Sequence, residues 1–158
     1  MVVAAVLGLV ALMQFVGAAS GGADPLQPLA HLKGGAATAA PRFTAVHSVA
    51  ELDAALQSAG RVVMLDFYAD WCVSCKEMER FTFSDPAVQQ KLAGALLLKA
   101  DVTKNGSDDK ELLKRFALFG PPGTIFFFDA KGREVEGTRV IGFQNSTQFL
   151  RTLVMAGL

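Results

Sequence analysis

The chain is 158 residues long, room for one domain of ordinary size and too short for two comfortable ones. Hydrophobic residues make up 51% against 19% charged, and the mean hydropathy of +0.34 is apolar for a soluble domain. Fifteen Lys+Arg balance fifteen Asp+Glu, which speaks against a basic nucleic-acid face or an acidic disordered tail, and two cysteines are too few for a disulfide-dense scaffold or a Cys-only metal site.

The apolar excess sits at the front. Residues 1–23 carry no charged side chain, and within 1–19 the one polar side chain is Gln14. Nineteen helical residues rise about 28 Å, close to the ~30 Å of bilayer hydrocarbon. Residues 1–19 therefore read as a transmembrane helix. A secretory signal peptide ending at the small residues Gly17 and Ala19 is the alternative, although no Lys or Arg precedes the run. The nearest cations, Lys33 and Arg42, follow it, so the positive-inside rule alone would put them in the cytoplasm. A membrane helix starting at its own Met also suggests a piece of something larger. Residues 20–42, with Pro25, Pro28, Pro41 and four glycines, read as a flexible linker.

From Phe43 onward the composition is that of an ordinary α/β domain. Lys33, Arg42 and Asp24 lie before it, which leaves 13 of the 15 Lys+Arg and 14 of the 15 Asp+Glu in residues 43–158. Phe43 to Val46 is a candidate edge strand. Ser48 and Glu51 form a capping box that opens a helix to about Ser58. Val62 to Tyr68 is an apolar run containing one acid, as expected of a strand covered on both faces. A helix follows from about Cys72 to Phe81, and Asp85-Pro86 supplies an N-cap and an N1 proline for a short helix to about Ala93. Ala95 to Val102 is a second buried strand, and Ser107 is expected to cap a helix through Phe116. Thr124 to Phe128 is a strand, with Phe126-Phe127-Phe128 buried. Asp129-Ala130-Lys131-Gly132 turns into a strand over Glu134 to Ile141. Asn145 or Ser146 caps a closing helix to about Met155. This order predicts an α/β fold with a mixed central β-sheet and helices on both faces.

Both cysteines lie in Trp71-Cys72-Val73-Ser74-Cys75-Lys76, a Cys-x-x-Cys at the junction of a buried strand and a helix. Free amides and the positive dipole end at a helix start stabilise a thiolate on the first cysteine. The second, three residues on, is placed to close a disulfide with it. Cys72 is thus the exposed nucleophile and Cys75 the more buried resolving cysteine: attack on a partner disulfide gives a mixed disulfide at Cys72, which Cys75 resolves. A metal site is disfavoured, since only His31 and His47 could complete a ligand set and neither stands at a ligand-like spacing. A metal-binding or chaperone-like module with an idle cysteine pair remains the reading from a different class.

Asp66-Phe67-Tyr68-Ala69-Asp70-Trp71-Cys72-Val73-Ser74-Cys75-Lys76 resembles the signature of the thioredoxin superfamily. Its continuation Glu77-Met78-Glu79-Arg80-Phe81-Thr82-Phe83-Ser84-Asp85-Pro86 is similar to one branch, the C-terminal domains of the DsbD family of membrane thiol:disulfide interchange proteins. The resemblance spans roughly residues 43–158 and implies a thioredoxin-like fold and a protein-disulfide reductase. It also implies no cofactor beyond the redox-active Cys72–Cys75 disulfide, because the electrons travel on the cysteines. In that family a membrane-embedded donor domain passes electrons to this domain, which reduces periplasmic acceptor domains or proteins. Residues 1–19 would correspond to the last membrane helix, placing the protein in the bacterial inner membrane with its catalytic domain in the periplasm. The other domains of the family are absent from this sequence. A soluble exported thioredoxin-like protein, made by signal cleavage, is the alternative.

Asp66, inside an apolar strand, costs several kcal/mol as a buried unpaired carboxylate unless its pKa rises. The resemblance gives it proton exchange with the resolving cysteine. Glu79, seven residues after Cys72, returns to nearly the same helix face, and the resemblance places an acid there beside the active site. Two such carboxylates would raise the thiol pKa values and make a reducing site whose thiolate forms mainly when a partner docks. Trp71 is expected to cover the site. In Gly120-Pro121-Pro122-Gly123-Thr124 the resemblance implies a cis-proline loop whose backbone pairs with the partner. Pro122 is the first choice for the cis residue, but Gly123 stands between it and Thr124, so Pro121 stays open.

Overall fold

In the computed structural model the described residues are 6–8, 10–12, 14–15, 41–119 and 123–158. The chain divides into two compact units, Met1–Ala39 and Ala40–Leu158. In the first, the described residues are helical. The span expected over 1–19 falls largely outside the described residues, and among those described no helix is long and apolar enough to cross a membrane. Of the expected linker, only residues 41–42 are described.

The second unit follows the expected alternation: β1 (Thr44–Ala45), α1 (Val49–Ser58), β2 (Val63–Tyr68), α2 (Val73–Glu77) running into a π-helical turn (Met78–Thr82), then α3 (Pro86–Leu92) and β3 (Leu96–Asp101). It continues through α4 (Ser107–Arg115), β4 (Thr124–Phe128), β5 (Val140–Ile141) and α5 (Ser146–Met155). The five strands form one mixed sheet in the order β1-β3-β2-β4-β5. β3 is parallel to both β1 and β2, whereas β4 is antiparallel to β2 and β5.

Strand alternation divides the core into two layers. Val63, Leu65 and Phe67 of β2 pack with Leu52 and Leu56 of α1 and Leu112, Leu113 and Phe116 around α4. Met64 packs on the other side with Met78, Val88 and Leu92 of α3, and Phe149 and Leu153 of α5. The sheet is thus covered on both faces, and β2 lies at its centre with buried side chains from Val63 to Phe67.

Local chemistry sets the helix ends. Ser48 caps α1 by accepting the Glu51 N–H at 3.2 Å, and the Glu51 carboxylate takes the His47 N–H at 2.8 Å. Asp85 Oδ1 accepts the N–H groups of Ala87 and Val88 at 2.9 and 3.2 Å, with Pro86 opening α3. Asn145 caps α5 through the Gln148 N–H at 3.0 Å.

Three expectations are corrected. The N-cap of α4 is Gly106, not Ser107; Asp109 reaches back to the Gly106 N–H at 2.8 Å, so Ser107 is already the first helical residue. The helix expected from Cys72 to Phe81 is α-helical only to Glu77. Beyond it the turn widens, the Phe83 N–H reaching back to the Met78 carbonyl at 2.8 Å, while the Phe81 carbonyl accepts from Ser146 Oγ at 3.1 Å. The strand expected over Glu134–Ile141 is interrupted. Glu134 pairs with Phe128, and the Val135 N–H bonds the Phe127 carbonyl at 2.8 Å. Gly137 then turns the chain with φ +77° before pairing resumes at Val140.

Candidate active site

Cys72 and Cys75 form a disulfide, with Cα atoms 5.3 Å apart. Cys72 is the N-cap residue of α2: its Sγ occupies the place of a capping oxygen and accepts the Cys75 N–H at 3.2 Å. Two further groups converge on the same sulfur. The Gly123 N–H donates to it at 3.4 Å, and Ser74 Oγ lies at 3.5 Å. A disulfide sulfur carries no proton, so the serine hydroxyl is the donor in this state. When the pair is reduced these donors face a thiolate, and bonds to a charged acceptor are roughly twice as strong as neutral ones. Cys75 has a different neighbour: its Sγ lies 3.7 Å from the Phe67 carbonyl oxygen, an acceptor for an S–H group once the bond is open.

The exposure contrast expected of the pair is slight. Cys72 is 5% exposed and Cys75 3%. Gly123 closes over both sulfurs: a Cβ at this position would stand 3.1 Å from Cys75 Sγ and 3.2 Å from Ser74 Oγ. The Gly123 carbonyl in turn accepts the Gly142 N–H at 3.0 Å, tying the loop before β4 to the end of β5.

Asp66 sits within β2, 4% exposed, opposite Lys99 of β3 on one side and Ile125 of β4 on the other. Burial pushes its carboxyl up to about 7; the positive charge of Lys99 works against that rise and the negative charge of Glu79 adds to it. Glu79 lies in the π-helical turn and pairs with Lys99 Nζ at 2.7 Å. Lys99 therefore links the two acids picked out in the sequence. It is also held over the rings of Tyr68 at 4.6 Å and Phe43 at 4.8 Å.

Trp71 is not a core residue: it is 59% exposed and lines one side of a groove with Val102, Leu113 and Phe119. Gly120, Pro121 and Pro122 lie outside the described residues. Asp70 is at the rim, its N–H held by Thr103 Oγ1 at 2.9 Å and its carboxylate accepting from Tyr68 Oη at 3.1 Å. Lys76 reaches the same Tyr68 oxygen at 3.4 Å. Among the described residues no group of three or more His, Cys, Asp or Glu side chains could hold a metal ion.

Three residues of this site escaped the sequence reading: Ser74, Gly123 and Lys99. Ser74 and Gly123 act through bonds that only the folded loop creates. Lys99 had a visible signal, since it is a cation inside the apolar run 95–100 just as Asp66 is an acid inside 62–68.

Residues 50–156 match the model of a thioredoxin-like domain family. The thiol:disulfide interchange protein DsbD of Ralstonia nicotianae is 55% identical over 160 residues, covering 96% of this chain and 26% of that protein. DsbD of Salmonella paratyphi A is 55% identical over 108 residues, covering 68% of this chain and 19% of that one. The chain thus spans about a quarter or less of the length of these curated relatives. Among solved structures, the reduced C-terminal domain of Neisseria meningitidis DsbD aligns with a TM-score of 0.59 at 32% identity, covering 72% of this chain and 99% of that one. The oxidised form of the same domain aligns with a TM-score of 0.54 at 37% identity, covering 65% of this chain and 86% of that one. Coverage, identity and the disulfide at the start of α2 agree: the chain belongs to the thioredoxin-like family, among the DsbD C-terminal domains.

Proposed function

We propose that residues 43–158 form a protein-disulfide reductase that works by dithiol–disulfide exchange. The carrying observation is the Cys72–Cys75 disulfide, with the N–H groups of Cys75 and Gly123 and the Ser74 hydroxyl gathered on Cys72 Sγ. In the reduced domain the Cys72 thiolate attacks one sulfur of a partner disulfide. The other partner sulfur leaves as a thiolate and takes a proton, and a mixed disulfide remains at Cys72. Cys75 then loses its proton to the Asp66 carboxylate and attacks Cys72 Sγ, which releases the second partner thiolate. Two electrons pass to the partner, its two thiolates take their protons from solvent, and Asp66 returns the Cys75 proton to solvent. A carboxyl brought to about 7 by burial suits that proton step, being half ionised near neutral pH.

The wider reading places this domain in a relay. A membrane-embedded donor domain re-reduces Cys72–Cys75, and the acceptors are periplasmic disulfide-bearing domains or proteins. Residues 1–19 serve as a transmembrane helix and 20–42 as the linker that lets the domain reach its partners. Likeness to DsbD and the uncharged run 1–23 support this reading.

Replacing Cys75 by Ser in the full chain should freeze the mixed disulfide through Cys72, and the captured protein names the acceptor. Insulin reduction should vanish in Cys72→Ser. Turnover that persists in that variant overturns the mechanism.

A further inference from the structure

A groove beside Trp71, the residue before Cys72, is lined by two lysines that form no ion pair among the described residues. It has a volume of about 610 Å³, and Trp71, Val102, Leu113, Leu118 and Phe119 give it apolar walls. Trp71 is 59% exposed and Phe119 107%, so this apolar surface stands open. Lys110 and Lys114 stand among these residues, and among the described residues no carboxylate lines the groove. Both lysines belong to α4 and are four residues apart, which puts them on one face about 6 Å from each other. Neither has an ion-pair partner among the described residues, whereas Arg115 at the end of the same helix is matched to Asp53. Of the three acids of α4, Asp109 accepts the Gly106 N–H at 2.8 Å, Asp108 accepts from Ser107 Oγ at 3.4 Å, and Glu111 is not among the residues that line the groove.

We propose that this groove receives an extended segment of the partner next to the disulfide being reduced, and that the segment carries an acidic side chain which pairs with Lys110 and Lys114. The proposal rests on the reductase reading above and names the substrate class of that site. An extended chain sends alternate side chains to opposite sides. Apolar residues of the segment lie on Trp71 and Leu118 while the acid meets the two ammonium groups at the rim. Opposite charge at a rim acts chiefly on encounter and register. The electron balance is unchanged: the Cys72/Cys75 dithiol becomes a disulfide and the segment's disulfide becomes two thiols.

The test uses the full chain, reduced and freed of reductant, with three synthetic disulfide-looped peptides. They share apolar flanks and differ at one position beside a cysteine, which is Glu, Gln or Lys. At low ionic strength the Glu peptide should be reduced fastest and the Lys peptide slowest, over a span of about tenfold that shrinks in high salt. The double variant Lys110→Gln/Lys114→Gln should flatten the order, and Lys110→Glu/Lys114→Glu should invert it. Equal rates for the three peptides overturn the proposal, as does an order that survives charge reversal or is indifferent to salt. Failure of the wild type to reduce even the Gln peptide overturns the reductase reading instead. Turnover without charge preference overturns only the acidic segment.

Discussion

Asp66 makes folding stability depend on pH in a direction opposite to that of a salt-bridged carboxylate. Burial brings its carboxyl from the ordinary aspartate value of 3.8 up to about 7. Between those two values the folded state holds a proton that the unfolded state has lost. The stabilisation is therefore complete below about 4 and drains away as pH rises through about 7. One pKa unit corresponds to about 1.4 kcal/mol, so raising the pH from 5 to 8 costs the fold about 2.5 kcal/mol through this group alone. Asp66→Asn keeps the shape and removes the ionisation. Urea unfolding of the oxidised wild type and variant at pH 5 and pH 8 gives four free energies, and the difference of differences cancels every pH-independent effect of the substitution. The variant should gain about 2.5 kcal/mol on the wild type between the two pH values, whatever its offset at pH 5. Parallel pH profiles for the two proteins would refute both the raised carboxyl and its proposed service as a proton acceptor near neutrality.

The charges around Asp66 should move that profile in opposite directions: Lys99→Met shifts the pH of the loss upward by removing the attracting cation, and Glu79→Gln shifts it downward by removing the repelling anion, both read from the same unfolding titrations. Gly123→Ala should slow insulin reduction and cost about 1–3 kcal/mol, because a Cβ 3.1 Å from Cys75 Sγ and 3.2 Å from Ser74 Oγ forces the loop off the disulfide. Ala117 follows α4 with φ +55°, and the Leu118 and Ala117 N–H groups bond back to the carbonyls of Leu113 and Lys114 at 2.9 and 3.1 Å, a helix end that glycine fits without strain. Ala117→Gly should therefore stabilise by about 0.5–1 kcal/mol, seen as a rise of about 3 °C in Tm.

Strands β2, β3 and β4 were legible because each is an apolar run bounded by turn residues. Ser48, Asp85 and Asn145 announced their helices because a capping oxygen acts on amides two or three residues away. Interactions that reach further were not legible. Ser107 looked like a cap because serine commonly is one, yet Asp109, two residues on, supplies the bond to the Gly106 N–H and lets the helix start one residue sooner. The π-helical turn is set by contacts between Phe81 or Thr82 and Gln144 or Ser146, more than sixty positions apart, and no local pattern foretells them. Gly137 was visible, but a lone glycine in an alternating run marks equally a tolerated strand residue or a break. At the site, Cys72 and Cys75 were legible from spacing alone. Lys99 needed the β2–β3 register, because only that pairing sets it opposite Asp66.

That register alters the electrostatic expectation for the cysteines. Read from the sequence, Asp66 and Glu79 were two negative charges opposing a thiolate. In the fold, Glu79 is paired with Lys99 at 2.7 Å, so its field at the sulfurs is largely that of a neutral pair. Asp66 is charged in about half the molecules at pH 7, since its carboxyl titrates near there. What opposes ionisation of Cys72 is thus less than two full charges and weakens further as pH falls. What favours it is local and fixed: two backbone N–H groups and a hydroxyl within 3.5 Å of Sγ, delivered by α2 and by the segment just before β4. The first is tied to the turn after β2 through the Cys72 N–H on the Ala69 carbonyl at 3.0 Å, the second to the residue after β5 through the Gly142 N–H on the Gly123 carbonyl at 3.0 Å. Both donor sets are held by backbone hydrogen bonds beside the sheet, so neither needs to reorganise when charge develops on Cys72, and in the proposed mechanism the acids then bear on the proton of the second thiol more than on the nucleophilicity of the first.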